Sequence, residues 1–213
     1  MLSRQVLVCI VVATIALSAV ALWASKEFVP PKAANANTYP SKDAHSNEKV
    51  TAAIDVYNAP PKSDIFITHY GEEGILPVLL IVTNDGDQPV LLKSMRAQLV
   101  TASRSKLDGL EVDDVFRRVV HIQGSSTAPP KIGPIPLSGN KNKKAQQQYD
   151  EILRAHFAAE SVEPHSTKSG FLFFDVRGIS QPVADAHVYL TGIRDNSGNE
   201  LMYFEIPLIA ATR

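Results

Sequence analysis

Apolar side chains recur at every second position through much of the chain after residue 51. Ala52, Ile54 and Val56 alternate with polar or small neighbours, and Val188 and Leu190 do the same further along. This period places one set of side chains on a single face of an extended strand. The strand candidates are residues 52–56, 65–70, 75–84, 89–93, 95–99, 170–177, 187–191 and 202–208.

Turn-forming residues separate these candidates. The runs at 84–87 (Asn-Asp-Gly-Asp) and 195–199 (Asp-Asn-Ser-Gly-Asn) have the composition of tight turns between paired strands. About eight short strands separated by turns predict a mainly β domain, built as an antiparallel β-sandwich over residues 51–213. A body of roughly 160 residues is long enough to bury its own core.

Two strand candidates, residues 78–82 and 171–174, are apolar on both faces. An antiparallel sheet needs only one apolar face, so we expect another element to cover the second. The nearest amphipathic helices are predicted in an insertion at about 104–163, and we expect them to cover this face. Asp108 is the expected N-cap of the first helix. The two apolar stripes of the insertion are Val112, Val115, Phe116, Val119 and Val120, then Tyr149, Ile152, Leu153, His156 and Phe157. If these helices did not pack over that sheet or one open end, an apolar patch would be exposed for a partner.

The amino terminus has the composition of an export sequence. Residues 6–24 form an uncharged apolar run of 19 residues, and Arg4 precedes it. Residues 19–21 (Ala-Val-Ala) fit a signal-peptidase site, and 23–25 (Trp-Ala-Ser) offer a later one. The run is also just long enough to span a bilayer, so residues 1–24 are either a signal peptide or a membrane anchor helix. Both interpretations place the body outside the cytoplasmic membrane, in the periplasm or attached to the membrane.

Residues 25–50 are rich in Pro, Ala, Asn and Ser, and we expect a flexible linker there. The only cysteine, Cys9, lies in the leader, so disulfides and thiolate chemistry are not expected in the body. Cys9 is also too early in the run for a lipidation site. A formal net charge of −1 gives no basic surface that would suggest nucleic-acid binding.

Several short motifs resemble one family. Residues 81–84 (Ile-Val-Thr-Asn) with 88–90 (Gln-Pro-Val), then 162–166 (Val-Glu-Pro-His-Ser) leading into the Phe-rich run at 169–176, resemble uncharacterised bacterial exported proteins with an immunoglobulin-like β-sandwich domain. The hairpin from residues 189–190 to 206–208 fits as well, and the resemblance covers about half of the body. The resemblance implies an Ig-like sandwich behind an N-terminal signal sequence, and no catalytic residues. The helical insertion departs from the usual module and leaves the strand order open.

Several acidic residues and histidines could bind an ion, but each also has an ordinary structural explanation. Asp85 and Asp87 could hold calcium, and so could Asp195 with its neighbours Asn196, Ser197, Asn199 and Glu200, but turns require the same residue types. The six histidines are His45, His69, His121, His156, His165 and His187, and none has a metal-site spacing. His156 and Glu160 could share a metal only if both lie on one helix. We expect turns and helix flanks, with no metal, cofactor or catalytic residue assigned.

Three further sequence features have ordinary structural explanations. Lys141, Lys143 and Lys144 form a short basic run, expected to be solvated. Phe171, Phe173, Tyr189 and Tyr203 could form an aromatic ligand surface, although such residues more often pack a sheet. No nucleophile elbow surrounds Ser169 and Gly170, and the phosphate-loop and dinucleotide patterns do not occur.

These patterns predict a cell-envelope protein that is not an enzyme and that binds or supports an envelope protein partner through protein contacts. One alternative is a hydrolytic or metal-dependent enzyme, which would need His121, His156 or His165 to meet carboxylates in a cleft. Another is a carbohydrate- or lipid-binding sandwich with a groove lined by Phe171, Phe173 or Tyr203. An uncovered apolar sheet would favour the first function.

Overall fold

A computed structural model describes residues 27–121 and 139–209. The predicted leader over residues 1–24, with Cys9, lies outside these ranges. The described helices are α1 (Val112–Val119) and α2 (Gly139–Ala155), with 3-10 turns at Ala36–Thr38 and Lys62–Ile65. The strands are β1 (Lys42–His45), β2 (Val50–Val56), β3 (Ile75–Asn84), β4 (Val90–Leu91), β5 (Arg96–Val100), β6 (Lys106–Asp108), β7 (Ser161–Val162), β8 (Ser166–Asp175), β9 (His187–Thr191) and β10 (Phe204–Pro207). None of the helices in these ranges is both long and apolar enough to cross a bilayer.

The strands form two four-stranded antiparallel sheets. The first sheet has the order β1-β2-β3-β8 and the second has the order β10-β9-β5-β6, while β4 and β7 form a separate pair. Alternate side chains of both sheets meet in one hydrophobic core, which is the arrangement of a β-sandwich. Its buried members include Ile54, Val78, Leu80, Leu172 and Phe174 from the first sheet, and Leu99, Val188, Leu190, Phe204 and Ile206 from the second.

A second core lies on the opposite face of the first sheet and confirms that the helices cover it. Leu79 and Ile81 of β3 and Phe171 and Phe173 of β8 point to this side. They pack against a helix layer, which consists of α1, α2 and the segments 27–39 and 57–70. Its buried contacts are Phe28, Ala36, Tyr57, Phe66, Tyr70, Val115, Val119, Ile152 and Ala155. The first sheet is therefore buried on both faces, as its doubly apolar strands require.

Pro77 lies in the central strand of the first sheet, where a missing N–H would ordinarily break a ladder. The last pair between β2 and β3 joins Val56 to Val78. Pro77 is one residue beyond that pair, and its carbonyl accepts a hydrogen bond from the N–H of Tyr57 at 3.1 Å. The proline therefore removes only the reciprocal hydrogen bond at the very end of the β2–β3 ladder, where the sheet loses least.

The predicted flexible linker over residues 25–50 is wrong for the residues that are described, 27–50. Phe28 is only 3% exposed, Ala36 is fully buried, and β1 lies within this segment. Composition missed this because the segment reaches the core through a few isolated side chains and shows no periodic pattern. The domain boundary at residue 51 therefore cuts through β2, and the packed part of the described chain already includes Phe28.

Three local predictions also differ from the structure. Residues 65–70 were expected to be a strand, but they form turns after a 3-10 helix, because their apolar side chains enter the second core from a loop. The helical insertion at about 104–163 contains β6, which belongs to the second sheet. Asp108 therefore lies in a strand, and the N-cap position of α1 is occupied by Glu111.

Candidate binding surface

The outer face of the second sheet is the most distinctive surface of the protein, because none of the described residues packs over it. On each strand, the residues between the core positions point outward. Across four strands, Glu205 lies opposite Tyr189, Tyr189 lies opposite Gln98, and Gln98 lies opposite Asp108. We call these four residues the tyrosine row.

Hydrogen bonds fix both ends of the tyrosine row. The Tyr189 hydroxyl donates to Glu205 Oε1 at 2.6 Å, and Gln98 Nε2 donates to Asp108 Oδ1 at 2.7 Å. The hydrogen bond to Glu205 is also the main reason why the pKa of Tyr189 is raised. The row thus presents a tyrosine and a glutamine between two carboxylates, on strands held in place by the core.

A second tyrosine enlarges this surface. The rings of Tyr189 and Tyr203 are 6.0 Å apart between centroids, and Tyr203 is 52% exposed. Met202 beside it is 68% exposed. Large exposed side chains directly before a strand of the sheet resemble the anchors of protein interfaces, where Tyr and Met are enriched.

A groove of about 390 Å³ adjoins the tyrosine row. It opens between the β5–β6 edge of the second sheet and β8 of the first. The groove and the row share Asp108. Its lining consists of Met95, Arg96, Ala97, Asp108, Gly109, Leu110, Glu111, His156, Phe157, Leu172 and Phe173.

Two short segments on the groove wall form hydrogen bonds with β8. Leu110 N–H donates to the Phe173 carbonyl at 2.7 Å, and Phe157 N–H donates to the Phe171 carbonyl at 3.0 Å. Gly170 is required here, because a Cβ at that position would lie 2.5 Å from the Phe157 Cα. The segment after α2 therefore runs directly against β8 and places His156 on the groove wall.

His156 is the titratable group of the groove with a perturbed pKa. Burial lowers the pKa of His156, and the Glu111 carboxylate opposes this effect. The structure therefore brings His156 into one groove with Glu111 and Asp108, which the sequence could not show. The metal site considered for His156 and Glu160 required both residues to lie on one helix, but α2 ends at Ala155, before either of them.

Both calcium candidates are organised as turns. Asn84 Oδ1 accepts from Gly86 N–H, Asp85 accepts from the side chains of Asn35 and Asn37, and Asp87 contacts Lys49 and His165.

In the second loop, Asp195 accepts from the N–H groups of Ser197 and Asn199, both at 2.8 Å, and from the Asn199 side chain. The carboxylate of Glu200 accepts from Gly192 N–H. Hydrogen bonds from Asn199, its side chain first, hold the pKa of Asp195 below its usual range. The observed geometry is that of hydrogen-bonded turns.

The remaining histidines are dispersed. His45 stacks on Phe204 with centroids 3.9 Å apart, His121 contacts Glu73, and His187 lies on the outer face of the second sheet. His69 is exposed. Among the described residues, no three His, Cys, Asp or Glu side chains come close enough together to hold a metal ion.

The aromatic candidates separate into two groups. Phe171 and Phe173 are buried beneath the helix layer, and Phe173 also belongs to the lining of the groove, whereas Tyr189 and Tyr203 lie on the open face. Lys143 and Lys144 are exposed on α2, and the side chain of Lys141 lies outside the described set. Ser169 and Gly170 are ordinary members of β8.

Sequence reasoning missed the tyrosine row as a unit. Gln98 was expected only as a polar position between core residues, Asp108 was expected to cap a helix, and Glu205 was not singled out. The pairing register that aligns them depends on the order of four strands that are distant in sequence. The available signal was the polar face of each strand, where a tyrosine and acidic or amide groups alternate with core residues.

Comparison with known proteins gives no family. No family model matches the chain, and no curated protein matches it. A functionally unknown protein from Listeria monocytogenes aligns in structure at 13% identity and a TM-score of 0.35, covering 81% of this chain and 86% of that one. MPT63, a secreted protein from Mycobacterium tuberculosis, aligns at 13% identity and a TM-score of 0.32, covering 82% of this chain and 97% of its own. Likenesses of this strength identify neither a fold family nor a function.

Proposed function

We propose that this chain is an exported protein-binding module of the cell envelope, and that the tyrosine row is its contact surface. The observation that carries the proposal is the difference between the two sheets. The first sheet is covered by the helix layer, whereas the second presents Tyr189 and Tyr203 on a face that nothing in the described ranges covers, with the exposed Met202 next to Tyr203 in sequence.

The chemistry of this face favours a protein partner. The tyrosines offer apolar area at a small entropic cost, since each has only two side-chain torsions. Gln98 and the carboxylates of Asp108 and Glu205 offer hydrogen-bond acceptors at fixed spacing along the row. A partner that supplies basic or donor groups opposite the carboxylates would be complementary in charge.

The doubly apolar first sheet does not form the contact surface, because the helices cover it. Support for binding comes instead from the polar and aromatic face of the other sheet.

The fold proposal that goes with this function is an Ig-like sandwich. Support comes from the strand order, since β10-β9-β5-β6 parallels the G-F-C-C′ order and β2-β3-β8 parallels A-B-E. The resemblance of the sequence motifs to exported Ig-like domains points in the same direction.

The envelope location rests on the leader. Arg4 followed by the apolar run at residues 6–24 is the sequence pattern of an export signal or anchor. A body without cysteine needs no oxidative folding after export, because its two cores supply the stability.

Site-specific photo-crosslinking in the native host tests the binding function. A photoreactive amino acid at position 203 should give a discrete, saturable adduct, and the same group at position 150 on α2 should not. Purified wild-type protein should compete for this adduct. A Tyr189→Glu/Tyr203→Glu variant of matched stability should compete at least about tenfold less well, as expected for the loss of two anchors at 1 kcal/mol or more each. Equal competition by this variant, or the same adducts from both positions, would refute the proposal.

One observation favours a second candidate, a metal-dependent or hydrolytic enzyme. His156, Glu111 and Asp108 line one groove, although these three side chains do not lie close enough together to hold a metal ion without a rearrangement of the groove. No serine, threonine or cysteine lies in that lining. Thermal unfolding with zinc or manganese decides this candidate: a melting temperature that rises for the wild type and not for His156→Asn would support it. An equal response of both proteins would remove it.

A further inference from the structure

The fold begins almost immediately after the predicted leader. The apolar run ends at Ala24, and Phe28, four residues later, is buried at 3% exposure. Four residues span at most about 14 Å when fully extended. If residues 6–24 cross a bilayer, the body therefore lies directly at the membrane surface.

Several contacts fasten this starting segment to the helix layer. The Phe28 ring stacks on Phe66 with centroids 5.5 Å apart and an angle of 5° between the rings. It also meets the edge of Phe171 at 6.5 Å. Glu27 forms an ion pair with Arg154 of α2.

The attachment continues along the chain. Ala36 N–H donates to the Thr83 hydroxyl at 2.8 Å, and this contact is buried. The side chains of Asn35 and Asn37 donate to the carboxylate of Asp85. Segment 27–39 is thus fixed to the first sheet at both of its ends and cannot act as a free spacer.

The position of this attachment sets the orientation of the body. Phe28 lies in the helix layer, on one side of the first sheet, and the tyrosine row lies on the far side of the second sheet. The two sheets alone are separated by about 10 Å, and the helix layer adds to that distance. A short connection at the helix layer therefore turns the tyrosine row away from the bilayer.

We propose that residues 6–24 stay attached as a membrane anchor, that the helix layer rests on the lipid surface, and that the tyrosine row faces the aqueous compartment. This inference rests on the proposed function, because it explains how that contact surface is presented to a partner. Because the connection between the anchor and Phe28 is so short, the helix layer must lie directly against the lipid surface. A partner protein could not fit between the helix layer and the bilayer without displacing Phe28.

The orientation can be measured with single-cysteine reporters. The full chain with Cys9→Ser is synthesised into vesicles of phosphatidylcholine and phosphatidylglycerol without signal peptidase. A fluorophore is placed at Leu153→Cys on α2 or at Met202→Cys beside the tyrosine row, sites that are 54% and 68% exposed. Headgroup spin-labelled lipids should quench position 153 at least about twofold more than position 202, because more than the sheet spacing of about 10 Å separates the two sites.

A spacer variant is the matched control. A Gly/Ser insertion of about 12 residues between Ala24 and Ser25, with a root-mean-square span of about 19 Å, should abolish the difference. Equal quenching without the spacer, or stronger quenching at position 202, overturns the orientation. N-terminal sequencing of the protein from native membranes should find the intact chain, whereas a mature terminus at Leu22 or Ser25 overturns the anchor.

These results are independent of the crosslinking test. If the tyrosine row binds no partner, the difference in quenching between positions 153 and 202 is still expected. If the leader is cleaved, the crosslinked adduct at position 203 is still expected. Failure of the orientation and failure of the binding function can thus be told apart.

Discussion

Glu151 is a buried carboxylate that joins α2 to the loop at residues 67–70. It accepts hydrogen bonds from Ile67 N–H, from Thr68 N–H at 3.1 Å and from the Tyr70 hydroxyl at 3.0 Å. Glu151 is 1% exposed, and Thr68 and Tyr70 are nearly as buried. Burial, with the neighbouring Glu151 carboxylate second, strongly raises the pKa of Tyr70, so this hydroxyl remains a donor.

Glu151→Ala should therefore destabilise the protein substantially. Each hydrogen bond to a charged acceptor contributes about 1.5–3 kcal/mol, and the substitution leaves two buried donors and one part-buried donor without this acceptor. The bonds share one acceptor and are not additive, so we expect a loss of about 3–5 kcal/mol in the free energy of unfolding. Glu151→Gln keeps the volume and one acceptor oxygen, and should lose about 1–3 kcal/mol.

Urea denaturation followed by circular dichroism measures these changes as shifts of the midpoint at constant slope. Gln146→Ala on the exposed side of α2 is the matched control and should change stability by no more than about 0.5 kcal/mol. A double-mutant cycle of Glu151→Gln with Tyr70→Phe should give a coupling of at least about 0.5 kcal/mol. A loss below about 1 kcal/mol for Glu151→Ala would refute this reasoning.

Three further predictions concern packing and pH. Gly170→Ala should cost about 1–3 kcal/mol in urea denaturation, because its Cβ would collide with the Phe157 backbone; a neutral effect would contradict the close approach. Burial opposes ionisation of Asp175, but hydrogen bonds from two arginines outweigh it and hold its pKa well below the usual range. Stability from this group is complete above about pH 4 and declines as the pH falls further, so acid unfolding of Asp175→Asn should lack that component. Burial also lowers the pKa of His156, so the wild type should lose stability as the pH falls below about 6.5, and His156→Asn should show a smaller loss in the same window.

Strands that bury both faces could be predicted well from the sequence. Leu79 and Ile81, between core positions of β3, already required a cover over the outer face of the first sheet. The nearby amphipathic stripes predicted that helices form this cover, because the periodicity of apolar residues in a helix indicates which of its faces is buried.

Elements without periodicity could not be predicted in this way. The four residues of β1, Lys-Asp-Ala-His, have no apolar alternation, and their position depends on pairing with β2. Phe28 and Ala36 are isolated core residues in a Pro- and Ala-rich stretch, so composition indicated a linker.

The candidate surface was less predictable than the fold. Tyr189 and Gln98 are neighbours because of the β5–β9 register, which spans more than 80 residues of sequence. Glu151 presented a similar difficulty, since a charged residue on a helix is usually solvated and only the folded loop at 67–70 reveals its burial. Both cases depend on tertiary contacts that a single sequence does not encode locally.

The central claim is that the open face of the second sheet is occupied by a partner in the cell envelope. Hydroxyl-radical footprinting of the purified protein and of intact envelopes tests it directly, read at Met202, Tyr203 and the buried Phe173. The account predicts that Met202 and Tyr203 are modified readily in the purified protein and are protected in envelopes, while Phe173 is protected in both. Equal modification of Met202 and Tyr203 in the two preparations would contradict it.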